Sequence, residues 1–447
     1  MFIRLLFSLT IFCIFSCSSN SQPADIDEGD IELFNHLDKK AIKKSTEELV
    51  DKLAAEMEDR KLVLLGESTH GTAEYYTNRY LVSRKLVEDY GFSFIALEGD
   101  WTAIYQLNLY ARGKSNFSSG EEIMNTFDRW PEWMWGNREF LELVEWLREF
   151  NSDRAFTDQV GLYGMDVYGQ WTALEKLTAS LKEEGNELSE SALSYLECFA
   201  EFKNDEWSYA AAVARGTASS CETSLSSLRE LFNEAFDLDL INQKNYAEFN
   251  LSQKAKVLKN AENHFRLSPI DRAASWNARV IHFWNTVKNL MEYYGPEAKG
   301  IAWAHNTHMG DARATIMSQQ GQSNMGQLSR EFLGDENVFI LGFATYSGKV
   351  NAGSSWGQPM QIMNIPPAQR NSWEHLLNEI SNDQFLIIFN ENDRYFPPLM
   401  QARGNRAIGV TYNPNQEAGN YVPTLLAHRY DAVWFIGETN ELNPVGN

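Results

Sequence analysis

Glu67, His70, Glu98, His305 and His308 are the residues whose types and placement could do chemistry in this chain. Glu67 and His70 stand in Gly66-Glu67-Ser68-Thr69-His70-Gly71, Glu98 opens Glu98-Gly99-Asp100, and the other two lie in His305-Asn306-Thr307-His308-Met309-Gly310. An imidazole beside a carboxylate can hold a water molecule and take its proton, because histidine titrates near neutral pH and the carboxylate fixes its tautomer. Glu67 and His70 have that spacing. Glu98 could share the water or orient the histidine pair, while an imidazolium or an arginine could stabilise a developing oxyanion. Such a set suits the hydrolysis of an ester or an amide. A single Glu or His of this kind is more often a helix cap or a satisfied loop residue, so the combination carries the reading. Three of the eight histidines follow two strand-like runs directly. His36, His264, His282, His375 and His428 scatter and receive no role; His282 lies on the apolar face of an expected helix and reads as a core residue.

Short apolar runs that stop at Gly or a polar group must place these residues, and such runs read as buried parallel strands. They are Lys61–Leu65, Phe92–Leu97, Val160–Tyr163, Gly300–Ala304, Val338–Leu341, Gln384–Phe389 and Ala432–Ile436. Segments of helical period lie between them: Thr72–Tyr90, Thr102–Ala111, Arg138–Phe150, Trp171–Glu184 and Ser275–Tyr294. The alternation predicts an α/β fold with a mainly parallel central sheet flanked by helices. Open sheets of this kind bind ligands at the carboxyl ends of their strands, where Glu67, Glu98, Asp166 and His305 are expected. Residues 186–267 interrupt the alternation and read as a helical insertion that covers the cleft and shapes substrate choice. Asp100 reads as the cap of the helix after it. Of the tryptophans in Trp130-Pro131-Glu132-Trp133-Met134-Trp135, at least one reads as core, and the run could wall a pocket for an apolar ring.

Two other chemistries compete at these positions. Gly66-Glu67-Ser68 opens like a nucleophile elbow, but His70 stands where the second glycine belongs, so Ser68 reads as a helix cap. His70, His305 and His308 with Glu67 or Glu98 have ligand types for zinc or manganese, yet they form no compact metal motif, and hydrolysis without a metal is the first expectation. The motifs Gly66-Glu67-x-Thr69-His70-Gly71, Leu97-Glu98-Gly99 and Trp303-Ala304-His305-Asn306-x-His308-x-Gly310 resemble, in order and spacing, those of the erythromycin esterase family. Tyr163-Gly164-x-Asp166, Trp135-x-Asn137-x-Glu139 and Asp271-Arg272 are similar to weaker motifs of that family. The resemblance implies hydrolysis of a cyclic ester, such as a macrolide lactone, by activated water with no covalent intermediate. His70 would be the base, Glu67 its orienting partner, and Glu98, His305 and His308 would line the same cleft. Arg272, Asp166 and Trp135 would meet the substrate. The rival functions are a metal-dependent hydrolase or peptidase on the same scaffold and a non-catalytic ligand-binding lipoprotein.

At the amino end, Arg4, the apolar run Leu5–Phe15 and Ser16-Cys17 have the layout of a bacterial lipoprotein signal, too short to span a bilayer core. Residues 1–16 read as the signal, with Cys17 as the lipid anchor. Residues 17–35 read as a flexible tether, and 36–447 as the folded body. The expected location is the bacterial cell envelope, with membrane contact only through Cys17; an ordinary cleaved signal is the alternative. The formal net charge of -22 becomes more negative once Arg4 is removed. A body this acidic is a poor partner for nucleic acid or anionic membranes, leaving a small-molecule ester or lactone as the expected partner. Cys198 and Cys221 could form a disulfide in an oxidising envelope or remain two buried thiols.

Overall fold

The computed structural model describes residues 28–446, apart from residue 203 and residues 237–242. The signal, Cys17 and the first part of the tether lie outside the described residues. The end of the tether needs correction, because helix Glu28–Lys40 begins inside it. Leu33 and Leu37, one helical turn apart, are fully buried in the main core, so this segment has the apolar stripe that a tether lacks. Its polar side is held by Asp30 to Arg403 and by His36 and Lys40 to Asp393.

All seven strand-like runs enter one sheet. We number the strands β1 Leu62–Leu65, β2 Phe94–Asp100, β3 Gly161–Asp166, β4 Gly300–Trp303, β5 Val338–Gly353, β6 Met360–Ile365, β7 Phe385–Ile388, β8 Arg403–Arg406, β9 Tyr421–Thr424 and β10 Ala432–Thr439. The order is β3-β2-β4-β1-β5-β10-β7, with β6 paired to the far half of β5, and β8 and β9 forming a separate ribbon. β3 through β10 in that order are parallel, whereas β7 and β6 run antiparallel to their neighbours.

Successive side chains of a strand point to opposite faces, and here both faces are buried, which is why the runs are continuously apolar rather than alternating. Leu62 and Leu64 of β1 join one core with Phe94, Ala96, Ala302 and Ile340. Val63 and Leu65 join the other with Ile95, Leu97, Ile301, Trp303 and Leu341. Helices Thr46–Met57, Ala73–Tyr90 and Arg138–Asn151 cover the second face; Gln170–Glu184, Arg272–Tyr294 and Trp373–Ile380 cover the first.

The insertion is helical, with Glu187–Leu196, Glu206–Ala214, Glu222–Phe236 and Tyr246–Leu267 as its main helices, and a disulfide joins Cys198 to Cys221. Its position over the cleft is corrected. Tyr246–Leu267 packs on Gln170–Glu184 and Arg272–Tyr294, and none of the described residues of 186–267 lines the cavity described below. Phe265 and His264 reach the back of Tyr168, so the insertion supports one cavity wall from behind. Among the described residues no helix is long and apolar enough to cross a membrane.

Candidate active site

β1 and β4 are hydrogen-bonded neighbours, and β2 flanks β4, so the three segments that follow them emerge side by side. Asn306 fastens them together. Its backbone N–H donates to the Glu67 carbonyl at 2.7 Å, and its side-chain amide donates to the Phe343 carbonyl of β5 at 2.8 Å. Its own carbonyl accepts from Arg429 at 3.0 Å. Position 66 must be glycine for this, since a Cβ there would fall 2.1 Å from Asn306 Oδ1.

Glu67 is fully buried and its two oxygens are committed to different partners. Oε1 lies 2.8 Å from His70 Nδ1, and Oε2 accepts from Arg79 Nη2 at 2.6 Å. Arg79, in helix Ala73–Tyr90, has no exposure and is held between the Tyr76 and Trp303 rings, 4.5 and 4.7 Å from their centroids. With Nδ1 of His70 engaged, Nε2 is the nitrogen left for an occupant of the cavity that His70 lines. Burial disfavours the His70 cation, but the Glu67 hydrogen bond and the charges of Glu98 and Glu67 outweigh it and raise its pKa above the ordinary 6.5.

Glu98 is the centre of the second cluster. Its Oε1 accepts from Arg279 Nη2 at 2.7 Å, its Oε2 from the His305 backbone N–H at 2.9 Å, and its carbonyl from the Trp135 indole at 3.0 Å. Arg279 also forms a two-pronged pair with Asp166, at 2.9 and 2.6 Å, and donates from Nη1 toward His308 Nε2 at 3.0 Å. A guanidinium can only donate, so in the neutral ring Nε2 of His308 accepts and the proton sits on Nδ1, which has no partner; the same Nε2 lies 3.3 Å from Glu98 Oε1, to which a protonated ring would donate instead. Burial opposes the Glu98 charge, yet His308, His70 and Arg279 hold its carboxyl well below the usual range.

His305 caps the short helix Asn306–Met309, its Nδ1 accepting the Thr307 N–H at 3.3 Å. That leaves the proton on Nε2, which is buried without a partner and belongs to a ring whose centroid is 4.9 Å from that of His70. Burial and the neighbouring His70 push the His305 pKa well down; burial also lowers that of His308, whose ring stacks on Trp276 at 4.4 Å. His70, Glu98, His305, His308, Asp166, Trp135 and Arg279 all line one cavity of about 700 Å³.

The five expected catalytic residues therefore converge, and Asp166 and Trp135 join them as residues whose polar atoms are already occupied. Arg272 does not reach the site: it is exposed at the first turn of helix Arg272–Tyr294, and Arg279, two turns on, takes the place assigned to it. Ser68 is not a cap but a buried hydroxyl 2.7 Å from Tyr75 Oη. Asp100 does cap its helix, accepting the Thr102 N–H at 2.7 Å. Trp133 is core, His282 is buried against Asn260, and none of the five scattered histidines lines the cavity. Sequence reasoning missed Arg79 and Arg279. Each stands on the buried stripe of an amphipathic helix, Arg79 with Tyr76, Ser83 and Leu86, and Arg279 with Ser275, His282 and Phe283, a place where an arginine must have a buried anion.

A parallel sheet carries carboxylates, arginines and histidines at its strand ends, an α/β scaffold with a polar centre of the kind hydrolases use. The erythromycin esterase family model matches residues 87–439, and the chain belongs to that family. The match covers Glu98 to His308 and begins after Glu67, His70 and Arg79, which the fold brings to the same place. A Bacillus cereus protein of solved structure shares 18% identity over 94% of this chain and 99% of its own, with a TM-score of 0.74. A structure described as a succinoglycan biosynthesis protein shares 18% identity over 93% and 98%, with a TM-score of 0.71. A variant of the erythromycin esterase EreC in its open conformation shares 16% over 89% and 95%, with a TM-score of 0.61. At these identities the likeness is one of fold.

Proposed function

We propose that this hydrolase cleaves an ester, cyclic esters such as macrolide lactones included, by attack of a water molecule from which His70 takes the proton. The observation that carries the reading is the 2.8 Å contact of Glu67 with His70 Nδ1, which fixes the tautomer with Nε2 free to accept. Arg79 holds Glu67 in place. The His305 Nε2–H, buried and unpartnered beside His70, suits the oxygen that becomes negative as the carbonyl is attacked, and the Arg279 guanidinium supplies the positive field.

No metal takes part in this reading. Among the described residues no group of three or more His, Cys, Asp and Glu is placed to hold an ion. The carboxylates are also committed, Glu67 to His70 and Arg79, and Glu98 to Arg279 and the His305 N–H, and the Arg279 guanidinium beside His308 would repel a cation. We further propose export with a lipid anchor at Cys17, favoured by the Cys198–Cys221 disulfide, which suits an oxidising compartment. The decisive experiment is a screen of lactone, ester and amide substrates with the purified protein, with and without a chelator. Turnover of an ester that survives chelation supports the reading, and turnover restored only by zinc or manganese refutes it. Mass spectrometry of the mature amino terminus tests the anchor.

A further inference from the structure

Beyond the catalytic cluster, the cavity wall carries polar groups with hydrogen-bonding capacity to spare. Arg129 lines the cavity with its guanidinium 4.8 Å over the Tyr168 ring, and among the described residues it makes no hydrogen bond or ion pair. Thr102, 3% exposed and in the same wall, has a buried hydroxyl with no partner. Beside it Asp100 presents its carboxyl over Gly169, where a Cβ would fall 1.9 Å from the carboxyl carbon. At the mouth stands Trp356, on the tip between β5 and β6, 48% exposed although it lines the cavity. Its ring lies 4.8 Å from Trp130 and 5.8 Å from Tyr168, and the Trp130 indole donates to the Gln358 carbonyl at 2.8 Å, which fastens the tip.

A buried hydroxyl without a partner and a half-bare indole both cost free energy, and a ligand that relieves both must have an apolar face and polar edges. An anion would satisfy Arg129 but would face Asp100, Asp128, Glu132 and Glu175 in the same wall. A wholly apolar ring would cover Trp356 and leave Arg129 and Thr102 unmet. A saccharide ring does both: its C–H face lies on an indole, and its adjacent hydroxyls can be bridged by planar side chains such as those of Arg129 and Asp100. Burial pushes the Asp100 carboxyl up against the pull of Arg129, which favours a form that can donate as well as accept.

We propose that Trp356, Arg129, Asp100 and Thr102 form a subsite for a saccharide ring, so that the ester cleaved in this cavity is carried on or next to a glycosyl unit. The second half of that statement rests on the ester-hydrolase reading; the binding itself does not. The test is titration of the whole protein with methyl glycosides, read by saturation-transfer NMR and indole fluorescence. Methyl glycosides should bind, Arg129→Met and Trp356→Ala should each weaken binding about tenfold, and His70→Asn should bind as the wild type does. The ratio of kcat/KM for an O-acetylated methyl glycoside to that for 4-nitrophenyl acetate should fall about tenfold in the two subsite variants, through KM. The inference is overturned if the wild type binds no methyl glycoside, if the variants bind equally well, or if cyclohexanemethanol competes as well as the sugars. Glycoside binding without turnover of any ester would remove the hydrolase reading and leave the subsite standing.

Discussion

Glu67 and Glu98 are both buried, both paired with an arginine, and both within reach of a histidine, but they leave their histidines in opposite states. Glu67 gives one oxygen to Arg79 and keeps the other for His70, so its charge favours the His70 cation. Glu98 gives its oxygens to Arg279 and a backbone N–H, and His308 Nε2 lies 3.0 Å from Arg279 as well as 3.3 Å from the carboxylate, so burial and the fixed positive charge lower its pKa in spite of Glu98. A proton acceptor needs the first arrangement and a neutral donor needs the second. The difference comes from burial and from whether the arginine meets the carboxylate alone, as Arg79 does, or the imidazole as well, as Arg279 does.

His70→Asn should give the largest effect. Loss of general-base assistance typically costs ~10²–10⁴-fold in rate, so kcat should fall by that much with little change in thermal unfolding. A fall of less than about tenfold would mean that the Glu67 cluster does not hold the base. Next come the arginines, where removing one partner of a buried pair typically costs about 3–5 kcal/mol. Arg279→Met should be the more damaging, because it strands both Glu98 and Asp166, whereas Arg79→Met strands Glu67 alone. Urea unfolding measures both, and an equal loss would erase the distinction between the clusters.

A smaller effect concerns stability and pH. His305 and His308 have folded pKa values below 6.5, so their contribution is present above that pH and is lost as the pH falls through the folded values; His282, pushed to about 4 by burial, acts in the same direction. His70 is raised, so its contribution is present below 6.5 and is lost as the pH rises through its folded value. The lowered group outnumbers the raised one. The melting temperature should therefore fall between about pH 6.5 and about pH 4, and His305→Asn with His308→Asn should flatten that fall. The smallest expected effect sharpens the comparison most. The acidic limb of kcat/KM should lie above the ordinary imidazole value and move down in Glu67→Gln, which removes the charge that raises His70. A limb that stayed in place would assign it to another group.

The sheet and the five converging residues were legible because a strand buried on both faces leaves a continuous apolar run, and the next polar residue marks where it ends. The arginines were not legible in the same way. Arg272 and Arg279 lie on one face of the same helix, and a spacing of two turns cannot say which of them meets an anion contributed by β2 and β3. Leu33 and Leu37 belong to a helix too short to stand out beside a polar leader, so the tether was drawn too long. The insertion was legible as helical, but its position depends on which face of Gln170–Glu184 it packs against, and periodicity within the insertion holds no record of that.

The placement of β1 between β4 and β5 has a consequence for the life of the chain. β1 is complete near residue 65 but its neighbours are not synthesised until residues 300–303 and 338–353. Glu67 and His70 can therefore have no partner loop until most of the polypeptide exists, and closing so long a separation is slow compared with local helix formation. A partly made chain holds every residue of the first cluster but not the sheet neighbours that place it beside Glu98 and His305. Turnover would then serve as an assay for finished molecules, with a lag after release that measures the time the last strands take to find the first.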